Sequence, residues 1–360
     1  MNTLRIAATV IALSALCWIR ADAHKPITSK YTFNEHVLPI FRERCVTCHF
    51  EGGAAPMPLD SYADARPWAE SIRAELVSAH MPPAQAESGV GAFRNASLLP
   101  PRDLDVVVTW ATGGTPEGPP ATTPGATRPR AEWPLGPPDI VVPVPTAVTL
   151  AARAVERTEE FRLPASALEG RAIRAVDLRP GTPAMVRRAI FVVSSGSAAS
   201  NDPNDVETVI GIWSPARDIT PAGDGAAFRF PRGAALVARV TYRKTWKYEN
   251  TEVTDRSTVG VYFADASHAS RPIDAIAIAD SRTIDQDAQA IAIRSEISGE
   301  KSGDARAIAV MPDGSRALLV RFIAQREWPQ RFWYVRPVSL PRGTKIESSV
   351  PIVVDVVRGR

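Results

Sequence analysis

Eight prolines fall between Gly113 and Pro138, with threonine, glycine and alanine among them and few large apolar residues. Each proline lacks a backbone N–H and fixes φ, so neither a helix nor a paired central strand can run through this stretch. Residues 113–138 therefore read as a semi-extended linker that divides the chain in two. A helical period precedes it and short alternating runs follow it. A length of 360 residues suits two or three domains.

The first residues read as an address rather than as structure. Arg5 is followed by an apolar run from Ile6 to Ile19 and then by Ala21-Asp22-Ala23, a small-x-small cleavage pattern. Residues 1–23 are thus expected to be a signal peptide, and the mature protein to be periplasmic. The apolar run is shorter than the ~20 residues a membrane-spanning helix needs. No other run is longer, so no transmembrane segment is expected in the mature chain. Cleavage removes Cys17 and leaves Cys45 and Cys48 as the remaining cysteines. The balance of 42 basic and 39 acidic residues, without a clustered basic face, gives no footprint for nucleic acid.

Residues 24–112 read as a helical domain. Thr32-Phe33-Asn34-Glu35 fits a capping box ahead of Phe33, Val37, Ile40 and Phe41 at helical spacing. Pro39 either opens a second short helix or kinks the first. Asp60 or Ser61 caps the next helix, with Pro67 in its first turn and Trp68, Ile72 and Leu76 on one face. A last helix starts near Pro101, turns Leu104, Val107, Val108 and Ala111 inward, and stops at Gly113-Gly114.

After Asp139, valine- and isoleucine-rich runs alternate with Gly, Pro, Asp and Ser, as in Ala189–Val193, Leu236–Tyr242, Val259–Phe263, Leu318–Ile323 and Ile352–Val357. This is the pattern of an all-β sandwich or barrel. Phe230-Pro231-Arg232-Gly233-Ala234 recurs as Leu340-Pro341-Arg342-Gly343-Thr344, each before a strand. The recurrence suggests two tandem β-sandwiches, over residues 139–268 and 269–360.

The chemistry-bearing motif is Cys45-Val46-Thr47-Cys48-His49. Two thiols one helical turn apart can add to the two vinyl groups of a haem, and the histidine that follows is placed to bind the iron. A thioredoxin-like site needs a βαβ context that the head lacks, and a structural zinc needs a second cysteine pair. The expected cofactor is one covalent haem c on Cys45 and Cys48, with His49 as the proximal iron ligand. Met81, which leads Met81-Pro82-Pro83, is the expected distal ligand; Met57 and His80 are its rivals.

The head resembles a bacterial cytochrome c domain. The resemblance rests on the CxxCH run together with Ala55-Pro56-Met57-Pro58-Leu59, Tyr62-Ala63-Asp64-Ala65-Arg66-Pro67-Trp68, Met81-Pro82-Pro83, Phe93-Arg94-Asn95 and Trp110-Ala111-Thr112-Gly113-Gly114-Thr115-Pro116. That domain is often joined to a region similar to type II copper, ascorbate-dependent monooxygenases. The body resembles this partner through Thr254–Ala264, Pro312-Asp313-Gly314-Ser315, Trp328-Pro329-Gln330 and Leu340–Thr344. The resemblance implies an N-terminal all-α cytochrome c-like domain followed by an all-β double jelly-roll-like sandwich.

The copper ligands that the resemblance implies are missing. A His-His pair is expected where the chain reads Met185–Phe191, a further histidine near Val240–Arg243, and a His-x-His group near Ser295–Gly299. The five histidines are His24, His36, His49, His80 and His268. Only His268 lies in the β body, and one imidazole cannot make two copper sites. His24, at the mature N-terminus, could chelate copper through its amine and ring, but no spacing supplies it with a partner.

The expected function is therefore one-electron transfer to an unidentified redox partner protein. The β region would be a copper-free docking unit, and Arg187, Arg188, Arg243 and Lys244 would be its candidate basic patch. The second reading is a haem-linked copper-dependent monooxygenase with atypical ligands. The third is a carbohydrate-binding β module using Trp246, Tyr248, Trp328, Trp333 and Tyr334.

Overall fold

The computed structural model describes residues 28–83, 85–87, 89–95, 99–120, 132–194, 207–215, 219–223, 225–265, 270–295, 303–325 and 327–358. The expected signal peptide, His24 and His268 lie outside them.

Prolines set where the helices begin. Pro39 stands in the first turn of α1 (Leu38–Arg44) and Pro101 opens α4 (Pro101–Thr112), where a missing N–H costs nothing. Between them lie α2 (Tyr62–Ala65) and α3 (Ala69–Val77). Ser61 caps α2 by accepting from the Asp64 amide. The expected capping box does not form. Thr32 makes no side-chain cap, and its amide is turned to His36 Nδ1, 3.2 Å away, at the start of a single π-helical turn, Phe33–Val37. Pro67 lies in a 3₁₀ turn, Arg66–Trp68, ahead of α3 rather than inside it. In α4 the buried stripe is Val106, Val107 and Trp110, rotated from the expected face that held Val108. Trp110 decides this, because its ring packs on Phe33 at 5.6 Å and its Nε1 donates to the Pro116 carbonyl.

The helical part is thus smaller than the all-α domain read from the sequence. Its helices are short, and residues 86–95 leave it altogether. The fold is mostly β-sandwich sheets with few helices.

The first sandwich contains β1 (Ile140–Pro143), β2 (Val148–Leu150), β3 (Glu156–Leu163), β4 (Ala172–Arg179), β5 (Val186–Ser194), β6 (Glu207–Trp213), β7 (Ala226–Arg229), β8 (Ala235–Arg243), β9 (Val253–Asp255) and β10 (Thr258–Phe263). After the two-residue β11 (Arg271–Pro272), the second contains β12 (Asp274–Ile278), β13 (Ser281–Thr283), β14 (Ala288–Ser295), β15 (Gly303–Val310), β16 (Arg316–Ala324), β17 (Arg331–Leu340), β18 (Lys345–Ser348) and β19 (Ile352–Arg358).

The two sandwiches thread their strands identically. The first has sheets β1-β10-β4-β7, with β11 added beyond β7, and β3-β8-β5-β6. The second has β12-β19-β14-β17 and β13-β18-β15-β16. Each strand of one order has a counterpart in the other, and the β2–β9 ribbon is an addition to the first. The two Pro-Arg-Gly turns precede counterpart strands, β8 and β18. Their glycines sit at φ 75° and 90°, a region where a Cβ is strained.

One seam joins the sandwiches. Ile291, Ala292, Trp333 and Val357 of the second pack into the core of the first. Across the seam Arg331 Nη2 donates to the Val209 carbonyl at 2.6 Å, while its Nε pairs with Asp355 at 2.8 Å. Both residues are almost fully buried, at 5% and 1% exposure.

Residues 86–87 and 89–95 close the open side of the second sandwich. Ala86 bridges Phe322 on the edge strand β16, and Phe93 bridges Tyr334 on the edge strand β17 of the facing sheet. Both side chains join that sandwich's core. Two exposed edges, each a template for unwanted pairing, are thereby covered.

Candidate functional site

The CxxCH run is a turn laid directly on the end of α1. The amides of Cys45 and Val46 both donate to the Phe41 carbonyl, and those of Cys48 and His49 to the Cys45 carbonyl. Val46 is buried and fixes the turn, which leaves the two thiols and the imidazole at its margin. Residues 50–59 then fold back over the motif: Ala55 N donates to Cys48 O and Leu59 N to His49 O. This return needs Gly53, where a Cβ would lie 2.4 Å from the Cys48 carbonyl oxygen.

His49 Nδ1 lies 3.1 Å from the Met57 carbonyl. A carbonyl only accepts, so Nδ1 carries the proton and Nε2 is the ring atom with a lone pair for a metal. Burial holds His49 below the usual histidine range; the Met57 bond opposes this, and the nearby Arg187 charge reinforces it. The ring is thus neutral and oriented, the state a metal ligand requires. Burial pushes the Cys45 thiol up to about 12; Cys48 adds to the rise and Arg44 opposes it.

Cys45, Met57 and Met81 all pack at the margin of one apolar cluster, whose centre is Phe33, Val37, Phe41, Leu59, Ile72, Leu76, Val107 and Trp110. Both candidate thioethers therefore share an apolar surface with the Cys45 thiol. Met81 is held by its amide, which donates to the Glu75 carbonyl at the end of α3. His80 differs. Its ring is exposed and faces the Glu75 carboxylate at 3.5 Å. This donor set fits a covalent haem c: two thiols a turn apart, a tautomer-locked imidazole and flanking thioethers.

Two of the three places where the resemblance puts copper ligands are occupied by packing, and the third, at 296–299, lies outside the described residues. Met185, Val186, Phe191, Val240 and Tyr242 are buried in the first sandwich's core. Among the described residues no cluster of three or more His, Cys, Asp or Glu could hold a metal ion. A separate cleft opens at the seam between the sandwiches, lined by Asn95, Arg174, Ile210, Trp213, Gln330 and Trp333. It shares no residue with the CxxCH loop.

The expected basic docking patch does not exist as such, because each of its cations is engaged within the chain. Arg188 Nε donates to Thr241 Oγ1 at 3.2 Å. Arg243 pairs with Glu156 and Glu327. Lys244 is buried, and its ammonium donates to the Ala151 and Thr251 carbonyls at 2.7 and 2.9 Å. Arg187 crosses to the head, where Nη1 donates to the Ala54 carbonyl. Three further contacts tie the first sandwich or its neighbour to the head: Lys247 with Glu51, Trp246 against Trp68 at 6.4 Å, and Gln325 Nε2 to the His80 carbonyl at 3.5 Å. The sequence pointed to Arg187 only as part of a basic patch, not as a contact to the head, and gave no sign of the Met57 carbonyl, since spacing reports neither a strand's aim nor a backbone acceptor.

No protein-family model matches the chain, and no curated protein does. Two solved structures are similar in part. A chain from the atomic structure of Sulfolobus turreted icosahedral virus is 11% identical, with 61% of this chain and 92% of that one covered, at a TM-score of 0.16. A223, a turret protein of the same virus, is 8% identical over 61% of this chain and 98% of its own, at 0.14. Scores this low carry no argument.

No helix among the described residues is long and apolar enough to cross a membrane.

Proposed function

We propose that the chain is a periplasmic c-type cytochrome with a single haem, exported by residues 1–23, that transfers one electron at a time to a redox partner protein. Cys45 and Cys48 would hold the haem, with His49 and Met81 as axial ligands to its iron. The haem would supply reversible one-electron chemistry; the chain supplies attachment, ligand orientation and an apolar surface. The supporting observation is the His49 Nδ1 bond to the Met57 carbonyl, which presents Nε2 beside two thiols a turn apart. The helical part of residues 24–112, without the segment that pairs with the second sandwich, is read as cytochrome c-like. The two sandwiches are read as a copper-free, jelly-roll-like relative of monooxygenases that docks the partner.

The test is the metal and haem content of protein purified from the periplasm of a cytochrome-c-maturing host supplied with copper. One covalent haem iron and no copper per chain is expected. Cys45→Ser with Cys48→Ser should abolish attachment, and Met81→Ala should alter the ferrous spectrum while Met57→Ala and His80→Ala do not. A native chain without covalent haem refutes the reading. Stoichiometric copper beside the iron turns it toward the monooxygenase.

A further inference from the structure

The first sandwich sends one charged side chain into the haem-attachment loop, and the sheet is shaped to send it. Arg187 is the bulged residue of β5: Val186 pairs with Tyr242 and Arg188 with Thr241, so two strand neighbours face consecutive partners and Arg187 has none. A bulge re-aims its side chain out of the ladder. Here the guanidinium reaches the head, where Nη1 donates to the Ala54 carbonyl.

Arg187 is under-compensated where it lies. Its Nε is buried with no hydrogen-bond partner. Among the described residues no carboxylate forms an ion pair with it. Burial lowers its pKa from the usual arginine value and Arg243 adds to this, while Cys48, Glu327 and Glu156 oppose. Arg42 and Arg44, on the helix that ends at the motif, also have a buried Nε with no hydrogen-bond partner, although Arg44 pairs with Glu43 and Asp103. Arg187 is partly exposed, but a guanidinium with its Nε enclosed and no anion beside it is still costly, and its planar fork fits a carboxylate. Haem carries two carboxylates of its own.

We propose that Arg187 is the cation of the haem site, delivered from the β body: it takes a haem propionate and its charge favours the ferrous over the ferric state. This rests on the haem reading above. It makes the potential of the site a joint property of the head and the first sandwich, and gives the β region a role in the electron transfer itself. The physical reason is sign alone, since a fixed positive charge stabilises the state holding one more electron.

Mediated redox titration of the full-length holoprotein tests it. Arg187→Gln should shift the ferric-to-ferrous ratio at a fixed potential about tenfold toward ferric, about 59 mV for a one-electron couple. Arg187→Lys, which keeps the charge, should stay within about threefold of native. Arg282→Gln, exposed on the second sandwich, should not move the ratio. An unchanged ratio in Arg187→Gln with covalent haem intact overturns the assignment and leaves the haem reading standing. A native chain that never attaches haem removes that reading instead. Should Arg187→Gln not accumulate, Arg187→Lys decides: a tenfold fall despite the retained charge overturns the proposal.

Discussion

In the first sandwich, side chains that leave the sheets go to the head: Arg187 to Ala54, Lys247 to Glu51 and Trp246 to Trp68. In the second, apart from Gln325 reaching the His80 carbonyl, the traffic runs the other way, and its open edges receive backbone from residues 86–87 and 89–95. The strand order is the same in both. The difference therefore lies in what is attached to the scaffold, not in the scaffold. A sandwich with two free edges must cover them. The second does so with a segment from the far side of the linker, so the two parts of the chain are coupled by paired backbone as well as by side chains. The first is free to use bulged and loop positions for reach.

The largest effect should come from the seam that holds the two copies together. Arg331→Met leaves Asp355 as a buried, unpaired charge and removes the bond to Val209, at a cost of about 3–5 kcal/mol. Arg331→Met with Asp355→Leu removes both charges and should recover most of that loss. Chemical denaturation checks both variants, and a double variant as unstable as the single one would mean that the pair is not the source of the effect. A smaller loss is expected from Phe93→Ala. Phe93 packs on Phe332 and Tyr334 at 5.4 and 4.9 Å but is only half-buried, so about 2–3 kcal/mol is expected, below the range for a fully buried ring. The change should act on the second sandwich and leave the first unaltered. Hydrogen exchange resolved by segment would show this as lost protection in β16 and β17, and equal loss in β5 and β8 would contradict the assignment of residues 86–95 to one sandwich.

What was legible in the sequence follows from burial. Runs buried on both faces, such as Ala189–Val193 and Ile352–Val357, announce themselves as continuous apolar strands. The edge strand β3, Glu156–Leu163, reads Glu-Arg-Thr-Glu-Glu over most of its length because one side faces water, and it escaped notice. β17 carries Pro337, which only an edge tolerates. Residues 86–95 stand between two helices in chain order, and no local period signals pairing with strands more than two hundred residues later. At the site, the thiols and imidazole were legible because Cys45, Cys48 and His49 fall together in one short run. Met57's part was not, because the acceptor is a carbonyl that any residue could supply.

The smallest effect tests the repeat itself. Gly233 and Gly343 hold positive φ in turns that precede counterpart strands, and a Cβ meets open space at the first and only ordinary contact with Pro312 at the second. Alanine at either position should thus cost backbone strain alone, about 1–2 kcal/mol. Equal losses in the two variants, measured by denaturant midpoint with an unchanged slope, would show that the same turn does the same work in both sandwiches. A loss at Gly343 with none at Gly233 would restrict the equivalence to strand order, with each turn held by its own contacts: Glu169 Oε1 on the Gly233 amide in one and Asp287 Oδ1 on the Arg342 amide in the other.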